Sequence, residues 1–155
     1  VFGKLLPHTV LFTLTGWAMG AIIFGFGGFP LQGPIWALML GLLLMVVANQ
    51  ALAVFITSLL PNPRLALSIC ALLGILSFSI AGLSFPVESM YGGIAILSYI
   101  IPVRYMFLLY VNIGFNGLPL YYSRWMFVIL AIFPALAAMT MWRLKKACLK
   151  PVYVP

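Results

Sequence analysis

The chain has 155 residues, 65% of them hydrophobic and 6% charged, with a mean hydropathy of +1.22, and a water-soluble domain of this size keeps too much surface exposed to hide that much apolar area. Eight Lys and Arg against a single acid, Glu88, give a net charge of +7, but the cations stand at the ends of apolar runs, which suits anionic lipid headgroups and excludes a phosphate-tracking nucleic-acid groove. Membrane lipid is therefore the expected solvent.

Val1 to Pro7 starts without a methionine and is too short and too weakly charged for a signal peptide, so the chain reads as a piece of a longer polypeptide. His8 to Phe29 is apolar and forms the first predicted span (8–29); as a helix it is roughly 33 Å long, enough to cross roughly 30 Å of hydrocarbon. The Pro and Gly of Phe29-Pro30-Leu31-Gln32-Gly33-Pro34 predict a turn, with Pro34 at the first position of the next helix. Span two runs over 35–60, and its length predicts tilt or extension into the interface. Pro61-Asn62-Pro63-Arg64 is the sharpest punctuation, with Asn62 an N-cap and Pro63 at the following position. Span three covers 65–84. The last covers 125–142, bracketed by Trp125 and Trp142, with Tyr121 and Tyr122 extending the outer aromatic belt.

Ile94 to Val111 is apolar enough to suggest a fifth span, but Pro102 breaks it and Arg104 sits near its middle. Charge decides the matter. With four spans, Lys4, Arg64, Arg143, Lys145, Lys146 and Lys150 share one side, leaving Arg104 and Arg124 on the other, as the positive-inside rule requires. Residues 85–124 are accordingly placed outside, as a re-entrant region of two short helices, with 143–155 a cytoplasmic tail. Bent backbone at that depth must be buried against protein or line a wet cavity. No internal repeat divides the chain. The expected fold class is an all-α membrane protein: one transmembrane domain over 1–155, with four transmembrane helices and a proline-broken re-entrant hairpin before the last span.

The chemistry is sparse. One histidine, one acid and two separated cysteines, Cys70 and Cys148, supply no multi-ligand metal centre, and a Ser-His-Asp triad cannot be built without Asp. Gly3-Lys4 lacks the surroundings of a phosphate-cradling loop, so any nucleotide hydrolysis falls to a partner, and no cofactor is expected on this chain. Asn49 and Gln50 fall near the middle of span two, where an unsatisfied amide is costly; they either bond across a helix interface or line a translocation path. Gly16 and Gly20 form a G-x-x-x-G, and Ala131, Ala135 and Ala138 a small-residue strip, either of which permits close backbone approach. Glu88 reads as an interfacial acid paired with Arg104 or Arg124. The competing reading makes it the titrating acid of a small proton-coupled carrier, in which case transport falls in Glu88→Gln; a third reading is an assembly subunit that only packs other spans. His8 reads as an interface residue.

Three stretches resemble the membrane subunits of type-2 ATP-binding-cassette exporters, the superfamily of bacterial drug, polysaccharide and lipid exporters. Gly3-Lys4-Leu5-Leu6-Pro7 resembles the start of that family's third span. Ala81-Gly82-Leu83-Ser84-Phe85-Pro86 is similar to the glycine and Phe-Pro pattern that ends its fifth. Ser98 through Ile101-Pro102-Val103-Arg104-Tyr105 is similar to the Pro-x-x-Tyr element of its re-entrant helices before the sixth. The resemblance implies a permease subunit in a bacterial inner membrane, covering the family's third to sixth spans and paired with a second permease half, identical or not. ATP would be bound and hydrolysed on a separate ATPase subunit. Gly3 and Lys4 would lie on the ATPase-coupling side. Gly82, Phe85, Pro86, Glu88, Pro102, Arg104 and Tyr105 would belong to the re-entrant exit region.

Overall fold

The computed structural model describes residues 2–60, 62–82, 84, 86 and 89–149, and every regular element among them is helical. Phe85, Glu88 and the tail from Lys150 onward lie outside the described residues.

Helix α1 spans Phe2–Ala21 and passes into a π-helical turn, Ile22–Phe26. It begins at Phe2 rather than His8 because Pro7 stands close to the start, where its missing N–H removes only one intrahelical bond. The π turn closes when Gly27 N–H donates to the Ile22 carbonyl at 2.9 Å. Gly28 then takes φ +65°, a conformation that favours glycine, and the helix stops short of Phe29.

Helix α2 is Ile35–Leu59. Pro34 is the extended residue before it (φ −70°, ψ 120°), one position ahead of where its sequence context suggests. Helix α3, Pro63–Ile80, has the predicted start: Pro63 lies in the first turn and Asn62 Oδ1 accepts the Arg64 N–H at 3.2 Å. Asn62→Ala should therefore destabilise the chain by about 1 kcal/mol, read as a shifted unfolding midpoint in detergent micelles. The helix ends ahead of Ser84, with Ala81 N–H bonding to the Ser77 carbonyl and Gly82 at φ +95°.

The segment with Arg104 is two helices, α4 (Gly92–Ile100) and α5 (Pro102–Leu109), the latter running into a second π turn, Tyr110–Phe115. They meet at 85°. Pro102 lacks the N–H that a continuous helix needs and disfavours helical backbone at Ile101, so the break falls between them. Helix α6 is Leu120–Leu149, longer at both ends than the apolar run 125–142. Among the described residues, four helical stretches are long and apolar enough to span a membrane: Gly3–Phe26, Ile35–Leu59, Pro63–Ile80 and Leu120–Trp142.

Helix α2 is the central element, packed chiefly on α6 and also touching α1, α3 and α5. Its small residues Ala37, Gly41, Ala48 and Ala51 are buried, so partner backbones can approach closely. On α6 the buried residues Ser123, Leu130 and Ala137 recur every seventh position, giving one face to α2. The strip Ala131, Ala135 and Ala138 is exposed, whereas Ala137 beside it is the buried residue. Gly16 takes a different role from a dimer motif: a Cβ there would come within 2.7 Å of the Leu42 side chain, so its absence lets α1 lie against α2 in the same chain.

Candidate functional site

Two polar constellations stand out, one between α1 and α2 and one at the bend between α4 and α5. At the start of α1, this helix and α2 run antiparallel and leave a groove of about 570 Å³. Lys4, His8, Asn49 and Gln50 line one end of it, and Phe12, Leu42, Met45 and Val46 line the other. The fold thus brings together Lys4, placed by the sequence on the cytoplasmic side, and the two amides of α2. Gly3 precedes Lys4 in the exposed first turn, with nothing within 4 Å of where its Cβ would stand.

The two amides do different work. Asn49 Nδ2 donates to the Met45 carbonyl of its own helix at 3.0 Å, so it forms no cross-helix bond among the described residues. Gln50 bridges helices: its Oε1 lies 2.8 Å from the Thr9 hydroxyl, which also lies 2.9 Å from the Leu5 carbonyl. The hydroxyl has one proton to give, and both the Gln50 Oε1 and the Leu5 carbonyl are acceptors, so the two oxygens share it. Trp17 Nε1 adds a second α1–α2 bond, to the Met39 carbonyl at 3.3 Å. Gln50 and Thr9 also border a second groove, of about 310 Å³, against Pro134 and Ala137 of α6.

The second constellation is the 85° bend between α4 and α5, which is closed by side chains. Arg104 Nη1 donates to Ser98 Oγ at 2.7 Å, its guanidinium carbon stands 4.4 Å from the centre of the Tyr99 ring, and the side chain is buried. Tyr105 Oη donates to the Tyr99 carbonyl at 2.7 Å, relieving one carbonyl near the end of α4. The sequence paired Arg104 or Arg124 with Glu88, which is not among the described residues. Among the described residues, Arg104 contacts Ser98 and Tyr99, and Arg124 contacts Tyr121, whose ring centre is 4.1 Å away, and Trp125. Pro102 is fully buried at the break. Nearby, the exposed Pro86 gives its carbonyl to Ser89 N–H at 3.1 Å, and Gly82 supplies the left-handed turn after α3.

Arg104→Leu removes a charge-assisted hydrogen bond and a cation–π contact together, and is expected to destabilise the chain by about 2 kcal/mol. Arg104→Lys should recover only part of this, because an ammonium cannot both lie flat on Tyr99 and reach Ser98. Denaturant titration of the two variants in micelles checks both values.

Sequence reasoning missed the π turns and what they touch. Phe24, in the turn after α1, stacks with Tyr110, in the turn after α5, at 6.2 Å and nearly parallel (2°), and Phe115 meets both Phe24 and Phe29. The clustering of Phe24, Phe26, Phe29, Tyr110 and Phe115 was the available signal, but nothing local to either segment says that they meet.

A family model described as ABC-2 family transporter protein matches residues 1–142. Neither the curated proteins nor the solved structures contain a match. With a match over most of its length, four apolar helices of spanning length and a bent helix pair before the last of them, the chain belongs to the ABC-2 transporter family and is a multi-pass membrane permease subunit.

Proposed function

We propose that this permease is one membrane half of an exporter driven by ATP, with the nucleotide bound and hydrolysed by a separate ATP-binding-cassette subunit and no catalysis on this chain. Its setting is a bacterial inner membrane. The partner ATPase engages the end carrying Gly3, Lys4 and Arg64. Substrate moves between this half and a second permease half, past Asn49 and Gln50. The corner held by Pro102, Arg104 and Tyr105, together with Gly82, Phe85, Pro86 and Glu88, caps the exit.

The observation that supports this reading best is the shared groove of Lys4, Asn49 and Gln50. A cation beside two amides on an otherwise apolar wall is expensive in lipid unless the surface is used or covered. Its position at the cation-rich end is where a nucleotide-driven partner can act on it. The test is co-purification with an ATPase: turnover should rise severalfold when the chain is reconstituted with it, and a compound should leave vesicles only with nucleotide present. A chain that moves the compound down a proton gradient without nucleotide overturns the proposal.

A further inference from the structure

The α1–α2 groove has a polarity gradient. Along α1, Lys4 and His8 give way to Phe12 and Gly16; antiparallel on α2, Gln50 and Asn49 give way to Val46, Met45 and Leu42. Gly16 against Leu42 closes the apolar end. At about 570 Å³ the groove falls within the range of roughly 300–1,000 Å³ typical of small-ligand sites. Around it, Leu6, Val10, Leu11 and Phe12 are exposed on α1, so the rim is continuous with surface that lipid wets and an occupant can arrive sideways from the bilayer.

We infer that this groove is a binding site for an anionic phospholipid of the leaflet at the Lys4 end, headgroup toward Lys4 and His8 and one acyl chain laid between α1 and α2. Lys4 makes no ion pair among the described residues, and its four-carbon stem brings the ammonium to headgroup level, where it meets the phosphate. His8 Nδ1 is committed as donor to the Lys4 carbonyl at 2.9 Å, so in the neutral ring Nε2 is an acceptor suited to a headgroup hydroxyl. The Asn49 amide, bonded only within its own helix among the described residues, retains an oxygen for the same polar end. Phe12 and Met45 present the surface an acyl chain needs, over a floor formed by the largely buried Leu42 and Val46. An anion is favoured because the chain carries +7 overall and the groove holds a fixed cation and no acid. Binding of this kind goes beyond the transport proposal and requires no ATPase.

The test reconstitutes the full chain, without nucleotide, in neutral phosphatidylcholine vesicles. These hold a trace of phosphatidylglycerol with a photoactivatable diazirine on one chain, or phosphatidylcholine bearing the same chain. Phosphatidylglycerol should label peptides containing Phe12 or Met45–Val46 at least fivefold more than phosphatidylcholine. Lys4→Glu should abolish that preference and Lys4→Arg keep it. Val46→Trp, which fills the groove, should remove labelling there while leaving labelling of the exposed Leu67 and Ile75 face of α3 unchanged, which also verifies folding. Equal labelling by the two lipids, indifference to Lys4→Glu and Val46→Trp, or capture of another polypeptide by the groove overturns the inference. Because no nucleotide is present, such a failure leaves the ATPase test above unaffected.

Discussion

Replacing Asn49 and Gln50 together with leucine is expected to leave the chain folded and inserted while transport falls to background. The two single variants should separate. Asn49 bonds only to Met45 of its own helix among the described residues, so Asn49→Leu removes a polar groove wall without loosening any helix pair. Its unfolding midpoint should stay at the wild-type value while transport drops about tenfold, an effect of about 1.4 kcal/mol on the rate-limiting barrier. Gln50 also ties α1 to α2 through Thr9, so Gln50→Leu should cost about 0.6–1 kcal/mol of stability besides slowing transport. Clearance of a compound from inverted vesicles by the permease–ATPase complex, beside micellar unfolding of each variant, reads both effects. A double variant that transports at the wild-type rate takes the amides off the path.

Gly33→Ala should be among the most damaging single substitutions to stability, at about 3 kcal/mol or more. A Cβ at Gly33 would overlap the carbonyl oxygen of Ile113 and crowd its side chain, and the overlapped atom is backbone, which cannot rotate away as a side chain can. This contact seats the loop between α1 and α2 on the π turn after α5. It is reinforced by Gln32 N–H donating to the Gly114 carbonyl at 3.0 Å, and by Gly117, at φ +62°, lying against Gln32. Gly28→Ala is the internal comparison. Gly28 has φ +65° but nothing within 4 Å, so the change should cost only about 1 kcal/mol of backbone strain. Equal losses of thermal midpoint in the two variants would show that the loop is not clamped.

Several of these features were legible in advance because they are local. Asn62 and Pro63 announce the start of α3 by side-chain chemistry that acts within one turn. Pro102 announces a break because the missing N–H affects its own helix and the residue before it. The limits of α1 and α6 were harder to see. Both helices continue past their apolar runs into residues such as Gly3, Lys4 and Lys145, which can be helical without being hydrophobic. Hydropathy measures the slab, not the helix.

The candidate site divides in the same way. That Asn49 and Gln50 needed partners was visible from their place in a greasy helix. That one bonds at home while the other reaches Thr9 follows from how α1 lies across α2, which Gly16 and Leu42 set at a distance of 26 residues in sequence. The pairing of Glu88 with Arg104 or Arg124 lies outside the described residues; what the fold adds is that Arg104 is buried against Ser98 and Tyr99, because the 85° bend brings α4 back onto α5. Helix α2 illustrates the difficulty best. It is apolar on nearly every face, so periodicity cannot say which side meets α6 and which meets α1.

The amino-acid sequence alone determined that this protein lies in a bilayer, that four of its stretches are sized to cross it, where the proline breaks fall and at which ends the cations gather. Each of those depends on the free energy of short segments against water or lipid. Only the tertiary structure decided that Lys4 shares a groove with Asn49 and Gln50, that Ala37, Gly41, Ala48 and Ala51 form the close-packed face, and that the two π turns meet at Phe24 and Tyr110. In lipid one apolar face is solvated as well as another, so the choice of partner is made by shape and by a few hydrogen bonds between residues far apart in the chain.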